Sequence, residues 1–205
     1  GGLESLTFTP DGKRALMQTN GRSGPLLSVI NTANYKPIDV NPSWSSKALP
    51  VGAAPNALAF GPDGRLYVAN GGSGTVSVID PVTSKVIDLD PNTSGSQSIP
   101  VGTTPSGLAF GSDGRLYVTN RNANTVTVVN TATAGIVRTI AAGSQPSAIA
   151  AAPDGRLYVT NAGSSTVSVI DPNSSVTKQI PVGPSPSAVA FSPGGNLVYV
   201  VNGND

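Results

Sequence analysis

The chain has 205 residues, of which only 11% are charged, and its 12 basic and 11 acidic side chains leave a net charge of +1. So small a charge provides no basic field for nucleic acid or anionic lipid, so neither is an expected partner. The absence of cysteine and histidine from the sequence excludes disulfides, thiolate nucleophiles, imidazole bases and the common zinc sites within it.

A glycine turn recurs along the chain and marks copies of one unit. The turns read TPDG, GPDG, GSDG, APDG and SPGG and end at Gly12, Gly64, Gly114, Gly155 and Gly195. They are about 40 residues apart in the later copies and about 50 apart in the first two. The predicted copies are 1–50, 51–100, 101–141, 142–182 and a partial copy, 183–205.

Each full copy predicts four short strands in the same order. An apolar stretch such as ALAF precedes the turn, RLYVAN or RLYVTN follows it, a run such as TVSVID comes third, and a run ending in IPVG comes fourth. These runs are rich in β-branched and aromatic residues and are bounded by Gly, Pro, Asn or Asp, which is typical of antiparallel strands. No apolar run approaches the roughly 20 residues that span a bilayer, and residues 1–12 lack a signal-peptide profile.

Four-stranded units at this period predict a β-propeller, with four complete blades and a two-strand partial fifth in a single domain or a fragment of one. The first strands carry small residues, such as Ala57, Gly107 and Ala148, where blades would converge. A β-sandwich or a solenoid is the alternative. The fifth copy stops after two strands, which favours a piece of a longer propeller over a blade completed by strands of a partner chain.

The segments YVAN at 67–70 and YVTN at 117–120 and 158–161 resemble the YVTN family of β-propeller repeats. The resemblance is close over 51–202 and looser over 1–52. It implies an extracellular, cell-surface or periplasmic propeller, and it assigns no activity.

The candidate partner-binding residues lie in predicted loops. Trp44 is the single tryptophan and falls in an insertion, where it could anchor a partner or pack on a blade edge. Arg121, Asn122 and Asn124 occupy a loop that differs between copies, and variable loops on a rigid repeat commonly carry recognition. No catalytic residue and no metal site is predicted.

Three other patterns have structural interpretations. Alternating oxygen ligands in the two insertions, around Asp39 and Asp88, begin like a calcium loop but lack its glycine and its closing glutamate, so solvated loops are expected. The asparagine that ends each second strand is expected to bond nearby backbone. Each DGR arginine is expected to pair with its turn aspartate.

The functional hypothesis from the sequence is a non-catalytic extracellular or cell-surface propeller that requires no cofactor and binds a protein, a glycan or additional blades from another chain. The alternative is a metal-dependent, lactonase-like hydrolase. The first strands offer Glu4 as their one carboxylate, which argues against convergent acidic metal ligands there. On this basis the protein is predicted not to be an enzyme.

Overall fold

The structure is a computed structural model, and it describes residues 3–9, 11–21, 24–36, 49, 51–83, 85–88, 98–174 and 177–203. These residues form antiparallel strands joined by turns and contain no helix. Over the same residues there is consequently no helix long and apolar enough to cross a membrane. The chain divides into two compact units, Gly1–Pro100 and Val101–Asp205.

The described residues of the first unit form two sheets. The strands of the first sheet are β1 (Leu3–Phe8), β2 (Arg14–Gly21) and β3 (Gly24–Asn31), and those of the second are β4 (Pro55–Phe60), β5 (Leu66–Asn70), β6 (Thr75–Asp80), β7 (Lys85–Val86) and β8 (Ser98–Pro100). The short β7 and β8 both pair with β6: Ile79 lies opposite Val86, and Val76 lies opposite Ile99. The second insertion therefore splits the predicted fourth strand into two pieces on one edge of β6.

The second unit contains two four-stranded sheets and one two-stranded sheet. Their strands are β9 (Pro105–Phe110), β10 (Leu116–Asn120), β11 (Thr125–Asn130) and β12 (Gly135–Ala141); β13 (Pro146–Ala151), β14 (Leu157–Asn161), β15 (Thr166–Ile170) and β16 (Thr177–Pro181); and β17 (Ala188–Phe191) with β18 (Val198–Val201). The four-stranded antiparallel blades predicted from the repeat are confirmed in this unit.

Neighbouring sheets of the second unit pack face to face. One apolar cluster joins Tyr117 and Val128 of the β9–β12 sheet to Leu157, Val159 and Ile170 of the β13–β16 sheet. Every residue of β10 is buried. In the first unit, every residue of β5 is buried as well.

Small residues allow the first strands of adjacent sheets to approach closely. A Cβ atom at Gly107 would lie 3.0 Å from the carbonyl oxygen of Ser147 in the next sheet and 2.9 Å from the hydroxyl of Thr119. The Ser106 hydroxyl donates to the Pro146 carbonyl at 2.9 Å, and the Ser147 hydroxyl donates to the Pro186 carbonyl at 2.8 Å. One serine position therefore links each of these sheets to the next.

The asparagine that ends the second strand forms hydrogen bonds within its own repeat. In β14, the amide of Asn161 donates to the hydroxyls of Thr166 and Ser168, at 3.1 and 2.9 Å, and its oxygen accepts from the backbone N–H of Gly143 at 3.0 Å. Asn70 and Asn120 donate to the equivalent hydroxyls of their own sheets. The expected backbone bond is thus present at Asn161, but the main partners are third-strand hydroxyls that the sequence analysis did not identify.

Candidate functional site

The sheets of the second unit have two chemically different ends. One end, which we call the loop end, lies where strands β10 and β14 reach their last residues. It comprises residues 102–106, 121–124, 143–147, 162–165 and 183–187. The opposite end carries the glycine hairpins and is called the turn end. At the turn end, Nη1 of Arg115 lies 3.8 Å from Oδ2 of Asp113. Nη2 of Arg156 lies 2.5 Å from Oδ2 of Asp154. The pairing expected for these arginines is confirmed.

The loop end of the second unit has a single charged side chain among its described residues, that of Arg121. The nearest paired charges along its own strand lie at the other end of β10, a strand of five residues that spans on the order of 15 Å. This separation exceeds the screening length of about 8 Å at physiological ionic strength. The Arg121 guanidinium therefore has no described carboxylate to neutralise it.

Arg121 departs from the repeat. The equivalent residues of the second, fourth and fifth copies are Gly71, Ala162 and Gly203, and each donates its backbone N–H to a carbonyl of the connection that precedes the first strand. Arg121 makes the same backbone bond, to the Thr104 carbonyl at 2.9 Å. Because glycine or alanine fulfils this role in the other copies, the fold does not require the arginine side chain.

The side chain beside this position differs in the second copy. There, a Cβ atom at Gly71 would lie only 2.1 Å from the Asn56 side-chain amide. The third copy has the smaller Ser106 in place of Asn56, as the fourth and fifth copies have Ser147 and Ser187. The exposed Arg121 side chain therefore meets no equivalent of Asn56.

A hydrogen-bonded cluster positions the Arg121 guanidinium. Its Nη2 donates to Oε1 of Gln145 at 3.3 Å, and the backbone N–H of Gln145 donates to Oδ1 of Asn124 at 2.8 Å. The Asn124 carbonyl accepts from the N–H of Ala142 at 3.0 Å. Both Asn124 and Gln145 have left-handed backbones, with φ of 57° and 51°. These bonds connect the β10–β11 turn to the segment that leads into β13.

The predicted residues Arg121, Asn122 and Asn124 are therefore exposed together in one turn. Gln145 was not among the residues predicted from the sequence, although it carries a comparable signal. Its counterparts in the other copies are Ala54, Thr104 and Ser185, so a long amide side chain occurs at this position only where an arginine faces it. Trp44, Asp39 and the asparagine and serine ligands proposed in both insertions lie outside the described residues.

This cluster can bind and polarise oxygen atoms. A guanidinium supplies several N–H donors in a planar fork that matches a carboxylate. The Asn122 amide and the Gln145 amide nitrogen can supply neutral donors beside it. The described side chains of the loop end are otherwise hydroxyl, amide and apolar groups, so this end is suited to ligand binding rather than to proton transfer.

The first unit has a cleft of about 420 Å³ lined by Thr9, Asp11, Lys13, Arg14, Pro81 and Val82. The Arg14 guanidinium donates to the carbonyls of Pro81 and Val82. The Thr9 hydroxyl donates to Asp11 at 2.5 Å, which lowers the pKa of that carboxyl. Of the three charged residues that line this cleft, Asp11 and Arg14 are thus engaged by the unit's own turns.

A second cleft of the first unit, of about 430 Å³, contains Asp63, Arg65 and Asp80. Asp63 accepts the Tyr67 hydroxyl at 2.9 Å, and Asp80 accepts the Val82 N–H at 2.7 Å, a bond that lowers the pKa of Asp80. Throughout the described residues, no three acidic side chains gather closely enough to hold a metal ion. The Arg121 cluster of the second unit is therefore the stronger candidate site.

Comparison with known proteins identifies the class of fold as a β-propeller, as predicted. The family model described as "SMP-30/Gluconolactonase/LRE-like region" matches residues 8–202. The chain belongs to this family. A search of curated proteins found no match.

Solved structures similar to the chain agree on the fold. Hydrazine synthase of Kuenenia stuttgartiensis is 26% identical with a TM-score of 0.77, and the match covers 97% of this chain and 55% of that one. Virginiamycin B lyase of Staphylococcus aureus is 17% identical with a TM-score of 0.75, and the match covers 98% of this chain and 63% of that one. The chain thus spans between half and two thirds of the length of these proteins.

These comparisons overturn one prediction. The prediction that the protein is not an enzyme is wrong, because its family is named after a lactonase and two similar solved structures are lyases. The error arose from taking the missing histidines and cysteines, together with Glu4 as the one carboxylate of the first strands, as the absence of catalysis. The propeller class implied by the YVTN resemblance is confirmed, whereas the comparisons do not support a non-catalytic scaffold.

Proposed function

We propose that the chain provides a substrate-binding part of the propeller of an enzyme that opens a lactone. The family match over residues 8–202 carries this proposal, because the family name includes gluconolactonase. Hydrolysis of a lactone breaks the bond between the acyl carbon and the ring oxygen. The water oxygen becomes bonded to the acyl carbon, and the ring oxygen receives a proton, which yields a hydroxy acid.

The loop end of the second unit supports this proposal through its donors. Negative charge develops on the carbonyl oxygen as water attacks, and a positioned guanidinium or amide N–H stabilises that charge. Arg121, held by Gln145 at 3.3 Å, and the exposed Asn122 are the donors offered by this cluster. We assign the cluster to binding and polarisation of the substrate.

Elimination is a second candidate reaction, favoured by the likeness to structures titled virginiamycin B lyase and streptogramin B lyase. In an elimination from an ester, a base removes a proton from the carbon next to the alkoxy carbon. The C–O bond then breaks to give an alkene and a carboxylate. Hydrolysis adds the mass of one water to the substrate, whereas elimination leaves the mass unchanged.

The test is incubation of the purified chain with gluconolactone and, separately, with virginiamycin B, each with and without added divalent metal ions. Product masses from both substrates are compared with reactions that contain heat-denatured protein. We expect ring opening faster than the spontaneous rate and slowed about tenfold or more in Arg121→Ala. Equal rates with native and denatured protein, for both substrates and all metals, would contradict the proposal.

The narrower YVTN assignment, the extracellular, cell-surface or periplasmic location, and a protein or glycan partner or additional blades from another chain stay predictions. So does the metal dependence attached to the lactonase alternative. The assay with and without divalent ions addresses the last of these directly.

A further inference from the structure

Two departures from the repeat contact each other at the loop end of the second unit. Arg121 replaces a glycine or alanine, Gln145 replaces a shorter side chain, and the two are joined by a hydrogen bond of 3.3 Å. A long side chain at either position is unnecessary for the fold, since Gly71, Ala54 and their other counterparts form the same turns. The turn geometry therefore accounts for neither long side chain.

The Arg121 guanidinium is hydrogen-bonded to a neutral side chain, and no described carboxylate neutralises its charge. Gln145 accepts one hydrogen bond from Nη2 of Arg121, which restrains the guanidinium and leaves its other N–H groups for a ligand. The described loop-end residues of this unit include no carboxylate. An arginine of this kind gains most from an anion supplied by a ligand.

The surrounding groups favour a carboxylate over a phosphate. Phosphate sites usually combine several cations or a row of backbone N–H groups, whereas Arg121 is accompanied by the neutral side chains of Asn122, Asn124 and Gln145. One guanidinium matches the single charge and planar geometry of a carboxylate through two parallel hydrogen bonds.

We propose that Arg121, positioned by Gln145, is a binding site for the carboxylate of a small polyhydroxylated acid. The adjacent amides of Asn122 and Asn124 and the hydroxyl of Ser144 would contact the ligand's hydroxyl groups. The identity of this acid as the product of lactone opening rests on the proposed function. The binding itself does not, because a hydroxy acid is recognised here whether or not the protein makes it.

The experiment is a titration of the full chain with gluconate. Binding is monitored by the NMR chemical shifts of backbone amides and, separately, by isothermal titration calorimetry. Sorbitol serves as an uncharged analogue, and inorganic phosphate as a second anion. We expect gluconate to perturb the amides of 121–124 and 144–145, to bind at least tenfold more tightly than sorbitol or phosphate, and to weaken as salt is raised. Tighter binding of phosphate, or equal binding of sorbitol, would overturn the assignment.

Three variants distinguish binding at this site from nonspecific attraction to positive charge on the surface. Arg121→Ala creates the residue that the fourth copy has at Ala162, so the fold should be retained, and gluconate binding should fall at least tenfold. Gln145→Ala should weaken binding less, because it only positions the guanidinium. Arg156→Ala, at the turn end of the same unit, should bind gluconate normally. Equal losses in Arg121→Ala and Arg156→Ala would contradict a specific site.

The outcomes distinguish this inference from the proposed function. Gluconate binding that depends on Arg121, without turnover of any lactone, would retain the carboxylate site and reject the lactonase. Lactone turnover with no gluconate binding at Arg121 would reject the carboxylate site and retain the enzyme.

Discussion

At the scale of single residues, burial separates the polar side chains that hold the repeat together from those that the fold does not need. Asn161 is fully buried and connects the third strand to the Gly143 backbone of its own sheet. A Cβ atom at Gly143 would lie 2.5 Å from the Asn161 side chain, so the glycine and the asparagine fit each other. Arg121 differs from Asn161 because its side chain is exposed and dispensable to the turn.

Asn161→Ala should lower the free energy of unfolding by about 1–2 kcal/mol, because it removes one of the two acceptors of the Gly143 N–H and one of the donors to the Ser168 hydroxyl. Urea denaturation followed by circular dichroism measures this. The matched control is Asn122→Ala, an exposed asparagine of the same unit, which should change stability by less than about 0.5 kcal/mol. Similar effects of the two substitutions would show that the Asn161 network contributes little.

At the scale of strands, one serine at the start of the first strand joins adjacent sheets of the second unit. The Ser147 hydroxyl donates to the Pro186 carbonyl at 2.8 Å and contacts the Thr160 hydroxyl at 2.8 Å. Such a bond between sheets supplements the apolar packing of their faces. The repeated serine therefore belongs to the fold rather than to the candidate site.

Ser147→Ala should cost about 1 kcal/mol of unfolding free energy, because the Pro186 carbonyl loses its donor. Ser187 holds the same repeat position, but it is exposed, and its hydroxyl lies 3.5 Å from the Val201 carbonyl. Ser187→Ala is consequently the matched control, with an expected change below about 0.5 kcal/mol. A larger loss in the control would contradict the role assigned to this serine between sheets.

At the scale of the whole molecule, the local stability of each copy depends on how much of its sheet is buried. Tyr117 is fully buried, whereas Tyr199, which occupies the same position in the β17–β18 sheet, is 59% exposed. Leu197, which precedes β18, and Val201 are also more than half exposed. Within the second unit, the same sequence pattern therefore occurs in a fully buried strand and in an exposed one, whose sheet contacts the β13–β16 sheet through Tyr158 and Phe191.

Hydrogen exchange measured by mass spectrometry should show this difference. Amides of residues 116–130 should exchange slowest in the second unit, and those of 188–201 should exchange many-fold faster, because strands with few buried contacts open more easily. Residues 157–170 provide an internal control of matching sequence. Equal protection of 188–201 would mean that another strand or molecule covers the β17–β18 sheet in solution.

The sequence alone determined the strands, their order and the propeller class, because turn glycines and apolar runs act locally and recur at fixed spacing. It also identified the loop containing Arg121, Asn122 and Asn124, since that loop differs visibly between copies. It did not determine the split of the fourth strand into β7 and β8, because pairing with β6 depends on contacts distant in sequence.

Only the tertiary structure decided which polar residues act together. Arg121 and Gln145 are 24 positions apart in sequence, and they meet because the β10–β11 turn docks on the segment that leads into β13. The hydrogen bonds of Asn161 likewise depend on Ser168 and Gly143 converging from two directions. Local patterns specify strands, but contacts between side chains on different strands and loops require the assembled sheets.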